Sequence, residues 1–324
     1  MSQSSGNGSV PVLHRVGLAG ALARFGQRSY AADYIALGLL ALGWVLIQFM
    51  DPFHRMFYLD NKAIMYPFAV HERVPVVWSV ILAGVVPFSI ILVWSALLRP
   101  GVQKTQVTML GLLVALMLTS FLTDLIKNAV GRPRPDLLSR CKPARGTSAN
   151  VLVAWTVCTE TNQQILQEGW RSFPSGHSSF SFAGLGYFSL FLCGQMHVFR
   201  PRTDLSRCLL GFFPLLCALL VAISRLDDYR HDVWDVTCGG LLGMLVGWFS
   251  YRRYYPPLRS VFCDEPWNKT ESSAIERFAR LNDEEQALSR PFISQEGGNP
   301  EETFQLEDTM GMNSGHQGTP REFQ

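Results

Sequence analysis

Six apolar runs, each close to the length of a bilayer's hydrocarbon core, constrain this chain more than any other feature. They cover residues 34–50, 74–98, 107–126, 180–196, 208–223 and 233–251, against the roughly 20 residues that a spanning helix needs. Lipid offers no partner for a bare backbone amide, so such runs must be helices. The expected fold class is therefore all-α, an integral membrane six-helix bundle over residues 34–251. Hydrophobic residues make up 48% of the chain and charged ones only 17%, a balance suited to a membrane protein. Residues 1–33 read as a polar, Ser/Gly-rich N-terminal tail, and no small-residue cleavage pattern follows the first run, which is expected to stay as an uncleaved anchor. Residues 252–324 read as a mostly disordered acidic tail with a short helix near 274–288.

Charge is divided along the chain. Residues 1–251 hold 20 Lys and Arg against 13 Asp and Glu, whereas residues 252–324 hold 8 against 13. A basic body suits an anionic headgroup or substrate, although part of the excess is the usual flanking of spans. No nucleic-acid partner is implied. An even number of spans leaves both termini on one side. Arg99, Lys104, Arg200, Arg202, Arg207, Arg252 and Arg253 flank that side and favour cytosolic termini, so the loops after spans three and five face a lumen or the exterior. The seven cations between Lys127 and Arg171 weigh against that assignment. The sequons at Asn7 and Asn268 then remain unglycosylated. Cys141 and Cys158 share the loop after span three, where they pair in an oxidising compartment or stay as two free thiols.

Three polar clusters stand at the ends of these runs: KNAVGRPRP from Lys127 to Pro135, PSGH from Pro174 to His177, and SRLDDYRHDVWD from Ser224 to Asp235. In the first, Gly131, Pro133 and Pro135 stop the helix and stiffen the segment carrying Arg134. Arg offers a planar fork to phosphoryl oxygens and Lys a point charge, yet cations at a span end also simply snorkel. Asp124, one turn before Lys127, either pairs with it or marks a polar helix face. In the second, Ser175 is the expected N-cap, Gly176 lets an anion approach the backbone, and His177 stands in the first turn. In the third, His231 and Asp235 are four apart, which on a helix puts both on one face. A carboxylate beside an imidazole fixes its tautomer and supports the charge formed when the other nitrogen attacks. Zinc is the rival for such a pair, disfavoured by the surrounding cations. Gly239, Gly243 and Gly247, and the Ser/Gly face of the fourth run, read as helix-packing surfaces.

In order and spacing the three clusters resemble the signature of the type 2 phosphatidate phosphatase family. Stretches such as GRPRPDLLSRC and RSFPSGHSSFSFAGL are similar to the fungal diacylglycerol pyrophosphate phosphatases. The resemblance implies a membrane lipid phosphatase that works without Mg2+ or any other metal or cofactor on phosphatidate, lysophosphatidate or diacylglycerol pyrophosphate. It also implies a helical core shared with vanadium haloperoxidases. It assigns phosphate binding to Lys127, Arg134, Ser175, Gly176 and Arg225, attack on phosphorus to His231, orientation of that imidazole to Asp235, and protonation of the leaving oxygen to His177. Two alternatives stand beside it: a phosphotransferase that passes the group to an alcohol, and a silent scaffold that binds anionic lipid through its basic loop.

Overall fold

The computed structural model describes residues 30–267; most of both tails, their sequons and the expected helix near 274–288 lie outside the described residues. Six long helices carry the molecule: α1 Ala31–Gln48, α2 Val76–Leu98, α3 Val102–Val130, α6 Gly176–Gln195, α7 Leu205–Asp227 and α8 Val233–Tyr254. Two short ones, α4 Leu137–Cys141 and α5 Gln163–Glu168, lie in the loop between α3 and α6. Among the described residues there is no strand, only the isolated bridges Phe57 with Val153 and Pro143 with Cys158.

Five of the six long helices are long and apolar enough to cross a membrane. The sixth, α6, is a 20-residue helix from Gly176 to Gln195 that falls outside those five. Its composition explains why. Helix α6 sits among α3, α7 and α8 and buries Ser178, Ser179, Ser181, Gly184 and Gly186 against them, so it faces protein where the others face lipid. The outer helices keep large apolar side chains exposed, as Leu39 and Leu46 on α1, Val93 and Leu97 on α2, and Leu209 and Phe213 on α7 do. That belt makes the chain a multi-pass membrane protein.

Close backbone contact holds α6 in place. A Cβ on Gly243 would stand 2.0 Å from the carbonyl oxygen of Ser179, and one on Gly184 would stand 1.9 Å from that of Ala83. The second contact has a local cause: Pro87, four residues on, has no N–H to give the Ala83 carbonyl, and a five-residue π turn, Ile81–Val85, precedes it.

Helix α8 runs past residue 251 to Tyr254, and the chain beyond it packs back on the bundle rather than leaving it. Tyr255 and Cys263 are buried, the Trp267 amide donates to the Tyr254 carbonyl at 2.9 Å, and Lys104 reaches Glu265 at 3.0 Å. At the opposite ends of the helices, residues 49–75 and 131–175 form a cap. Its own core is Phe57, Ile64, Leu137, Leu166 and Trp170, and the Trp170 indole donates to the Arg55 carbonyl at 2.9 Å. A disulfide joins Cys141 to Cys158 within it, which decides the choice left open above.

Candidate active site

Lys127 ends α3 and Gly131 closes that helix in the left-handed conformation, φ 56°. A side chain at Gly131 would run into the Phe53 carbonyl, 1.7 Å from a Cβ, so the chain turns there with glycine alone. Arg134 is then pinned by its own amide, which donates to the Gly169 carbonyl at 2.8 Å. On α6, Ser175 is the N-cap, its hydroxyl oxygen accepting from the Ser178 amide. Gly176 and His177 open the helix, where amides have no partner one turn back. The Lys127 amine lies 3.0 Å from the place a Gly176 Cβ would occupy, so an alanine there would push against the cation.

Arg225 lies at the end of α7, fully buried and tethered on three sides. Its Nη1 donates to Glu72 at 2.7 Å, its Nη2 to Asp228 at 2.8 Å and its Nε to Ser224 at 3.1 Å. His177 is within electrostatic reach of Arg225, His231, Lys127 and Arg134, and His231 within reach of Arg134 and Lys127. The fold thus brings all eight residues singled out in the sequence to one end of the bundle.

One expectation fails in its geometry. His231 is not on a helix: Asp232 is the N-cap of α8, and Asp235 closes a capping box with it, so the two residues share no helical face. The chain's turn into α8 brings them together instead, with His231 Nδ1 3.7 Å from Asp235 Oδ2. The hydrogen bonds that fix Asp235 come from elsewhere. Its carboxylate accepts from Ser172 Oγ at 2.5 Å, from Arg132 Nη1 at 2.7 Å and from the Asp232 amide at 3.1 Å.

These second partners were not singled out in the sequence. Arg132 and Ser172 lie inside or beside the quoted clusters, where a reading of the intervening letters would have found them. Asp228 lies inside the third cluster, three residues after Arg225; Glu72 and Glu168 gave no comparable signal, because their pairing with Arg225 and Arg134 depends on how the cap folds. Glu168 accepts from Arg134 at 2.7 Å and from Arg171 at 3.4 Å. Burial raises its pKa, but the cations of Arg134, Lys127, Arg171 and Arg140 outweigh that and hold it down to about 2.

Burial is also the largest influence on His231. Reinforced by Arg134 and Lys127 and opposed by Asp235, it lowers the imidazole to about 3, so the ring is neutral and carries a free lone pair at ordinary pH. Arg134 Nε, Arg171 Nη2 and His177 Nε2 are buried without a hydrogen-bond partner among the described residues. Such groups are costly unless something satisfies them, and an anion among these cations would.

Two cavities reach the site. One of about 530 Å³ is lined by His231, Arg132, Asp232, Tyr229, Tyr66 and Asn61. The other, about 330 Å³, runs between the helices, with Lys127, Gly176 and His177 at one end and Trp44, Met117 and Phe180 along its walls. The arrangement grips an anion, offers a nucleophilic imidazole and a second imidazole beside it, and opens toward the apolar part of the molecule.

Residues 108–258 match the family model described as the PAP2 superfamily. The chain is 43% identical over 216 residues to diacylglycerol pyrophosphate phosphatase 1 of Saccharomyces cerevisiae, covering 65% of this chain and 75% of that protein. It is 39% identical over 229 residues to the probable diacylglycerol pyrophosphate phosphatase 1 of Schizosaccharomyces pombe, covering 70% and 82%. Lipid phosphate phosphatase 2 of Arabidopsis thaliana is 38% identical over 232 residues, covering 71% and 79%.

Proposed function

The chain belongs to the PAP2 superfamily and is a lipid phosphate phosphatase, and on that footing we propose that it hydrolyses phosphatidate, diacylglycerol pyrophosphate or lysophosphatidate without Mg2+, through a phosphohistidine on His231. The observation that carries this reading is the meeting of a buried cationic pocket with a cavity that opens between apolar helices. A lipid phosphate needs both at once.

In the proposed reaction Lys127, Arg134 and Arg225 hold the phosphoryl oxygens, with the Ser175 hydroxyl and the Gly176 and His177 amides as further donors. The lone pair of the His231 ring nitrogen turned away from Asp235 attacks phosphorus. The bond from phosphorus to the leaving oxygen breaks, and His177, which takes up a proton with the incoming phosphate anion, gives that proton to the leaving oxygen. His177 then takes a proton from water, whose oxygen displaces His231 and releases inorganic phosphate. Asp235, fixed by Arg132 and Ser172, stabilises the imidazolium formed in between. The cations supply the charge that a metal would otherwise provide.

The test is brief reaction of the purified protein with lipid carrying labelled phosphate, followed by denaturing gels. An acid-labile, alkali-stable labelled band is expected in the native chain and none in His231→Ala, with free phosphate as the product and undiminished turnover in a chelator. Turnover by His231→Ala, a strict need for Mg2+, or transfer of the label to an added alcohol with no free phosphate would each defeat the reading.

A further inference from the structure

Asp124 is a carboxylate inside a membrane-spanning helix, and the reaction above makes no use of it. Ionisable groups at such positions are costly to keep in a span and commonly serve a function. It does not pair with Lys127 one turn away; among the described residues its hydrogen bonds come from α1, Trp44 Nε1 and Gln48 Nε2, each at 2.8 Å. Both donors go to Oδ2. Among the described residues Oδ1 has no hydrogen-bond partner, and Asp124 lines the 330 Å³ cavity together with Lys127, Gly176 and His177.

Three residues of helix rise about 4.5 Å, so the backbones of Asp124 and Lys127 stand about that far apart along the axis of α3, and both residues line the cavity. That is comparable to the span from a phosphorus to a hydroxyl on the second carbon of its alcohol. We propose that this cavity holds the part of the lipid next to the phosphate, and that Asp124 Oδ1 accepts a hydrogen bond from a hydroxyl or ammonium group there, favouring lipids that carry such a donor. The proposal rests on the phosphatase reading and deepens it. A carboxylate already held by two donors on one oxygen presents the other at a fixed place. A lipid esterified at that carbon leaves Oδ1 to water, so phosphatidate and diacylglycerol pyrophosphate remain substrates while a lipid that supplies the donor is preferred. Trp44 and Gln48 act as positioning residues for this carboxylate.

The test uses the full chain in mixed micelles and two substrates of one chain length, lysophosphatidate and its analogue lacking the sn-2 hydroxyl. The native protein is expected to show a kcat/KM at least about tenfold higher for the hydroxyl-bearing lipid. In Asp124→Leu the ratio is expected to collapse to within about twofold, whereas Trp44→Phe, which keeps the carboxylate, retains a preference. A ratio near one in the native protein overturns the proposal whether or not the variant folds, as does an unchanged ratio in an active Asp124→Leu. Failure of the native protein to release phosphate from either lipid would instead overturn the phosphatase reading, and this inference with it.

Discussion

At the scale of single residues the site is a set of buried charges held by one another, and acid is what disturbs it. An imidazole that titrates near 6.5 in the unfolded chain and near 3 in the folded one costs nothing above about 6.5. As pH falls from 6.5 toward 3 the unfolded chain takes up the proton and the folded one does not, so stability drops. Glu168, held down to about 2, contributes stability that is present above about 4.5 and lost as pH falls toward 2. Between 6.5 and 4.5 only His231 of the two acts, by roughly 2–3 kcal/mol at the lower end. The unfolding midpoint in detergent is expected to fall over that window, and His231→Gln to lessen the fall. The hydrogen bonds on Asp235 predict a separate effect: a charge-assisted bond contributes about 1.5–3 kcal/mol, so Ser172→Ala should lower kcat about tenfold or more with KM little changed. Glu72→Ala, which removes one tether each from Arg225 and Arg230, should instead act mainly on KM. A uniform loss in both variants would mean that neither residue positions what it touches. The sequence made His231, His177 and the three cations legible through their spacing along the chain. It hid Glu72, whose partner Arg225 is far off in sequence and near only through the cap.

At the scale of elements, the helices were legible because apolar length suffices to define a span, while their lipid exposure was not. The Ser/Gly-rich run that became α6 announced a packing surface, and the structure shows α8 lying directly upon it. The end of α8 was harder to read: residues 252–254 are polar or aromatic at a membrane edge, and only their packing on Asp33, which accepts from Arg253 and from Tyr254, extends the helix. The contact between α6 and α8 has a measurable consequence. A methyl group on Gly243 has no room, with Ser179 O at 2.0 Å and Ala183 N at 2.9 Å, whereas one on Gly38 meets nothing within 4 Å. Gly243→Ala must push α8 outward, carrying Asp235 with it, and is expected to lower the unfolding midpoint and activity together. Gly38→Ala on the outer helix α1 should be neutral or stabilising by about 0.5–1 kcal/mol. Thermal unfolding of the two variants in one detergent separates them, and equal effects would mean that the close approach at Gly243 does not limit the fold.

At the scale of the whole molecule, the ends of α3 and α7 and the starts of α6 and α8 gather with the cap at one end of the bundle, so the site has a side. Flanking charge alone assigned that side weakly, because the cationic loop from Lys127 to Arg171 runs against the usual rule for cytosolic excess. Four of its seven cations are now accounted for otherwise: Arg132, Arg134, Arg140 and Arg171 pair with Asp235, Glu168 and Asp136. They are spent inside the site and its cap, and so weigh little in orienting the chain. The Cys141–Cys158 disulfide adds a second argument, since such bonds persist in oxidising compartments and are rare in the cytosol. Together these favour a lumenal or exterior site and cytosolic ends for α1 and α8. Arg145→Asn tests this within the cap, because Arg145 is exposed and the change completes an Asn-Gly-Thr acceptor with Gly146 and Thr147. Expression in a glycosylating membrane should add one glycan, removable by an amidase, with catalytic activity as evidence that the cap is folded. An active Arg145→Asn chain that carries no glycan there, while a matching acceptor placed between α6 and α7 does, would invert the molecule in its membrane.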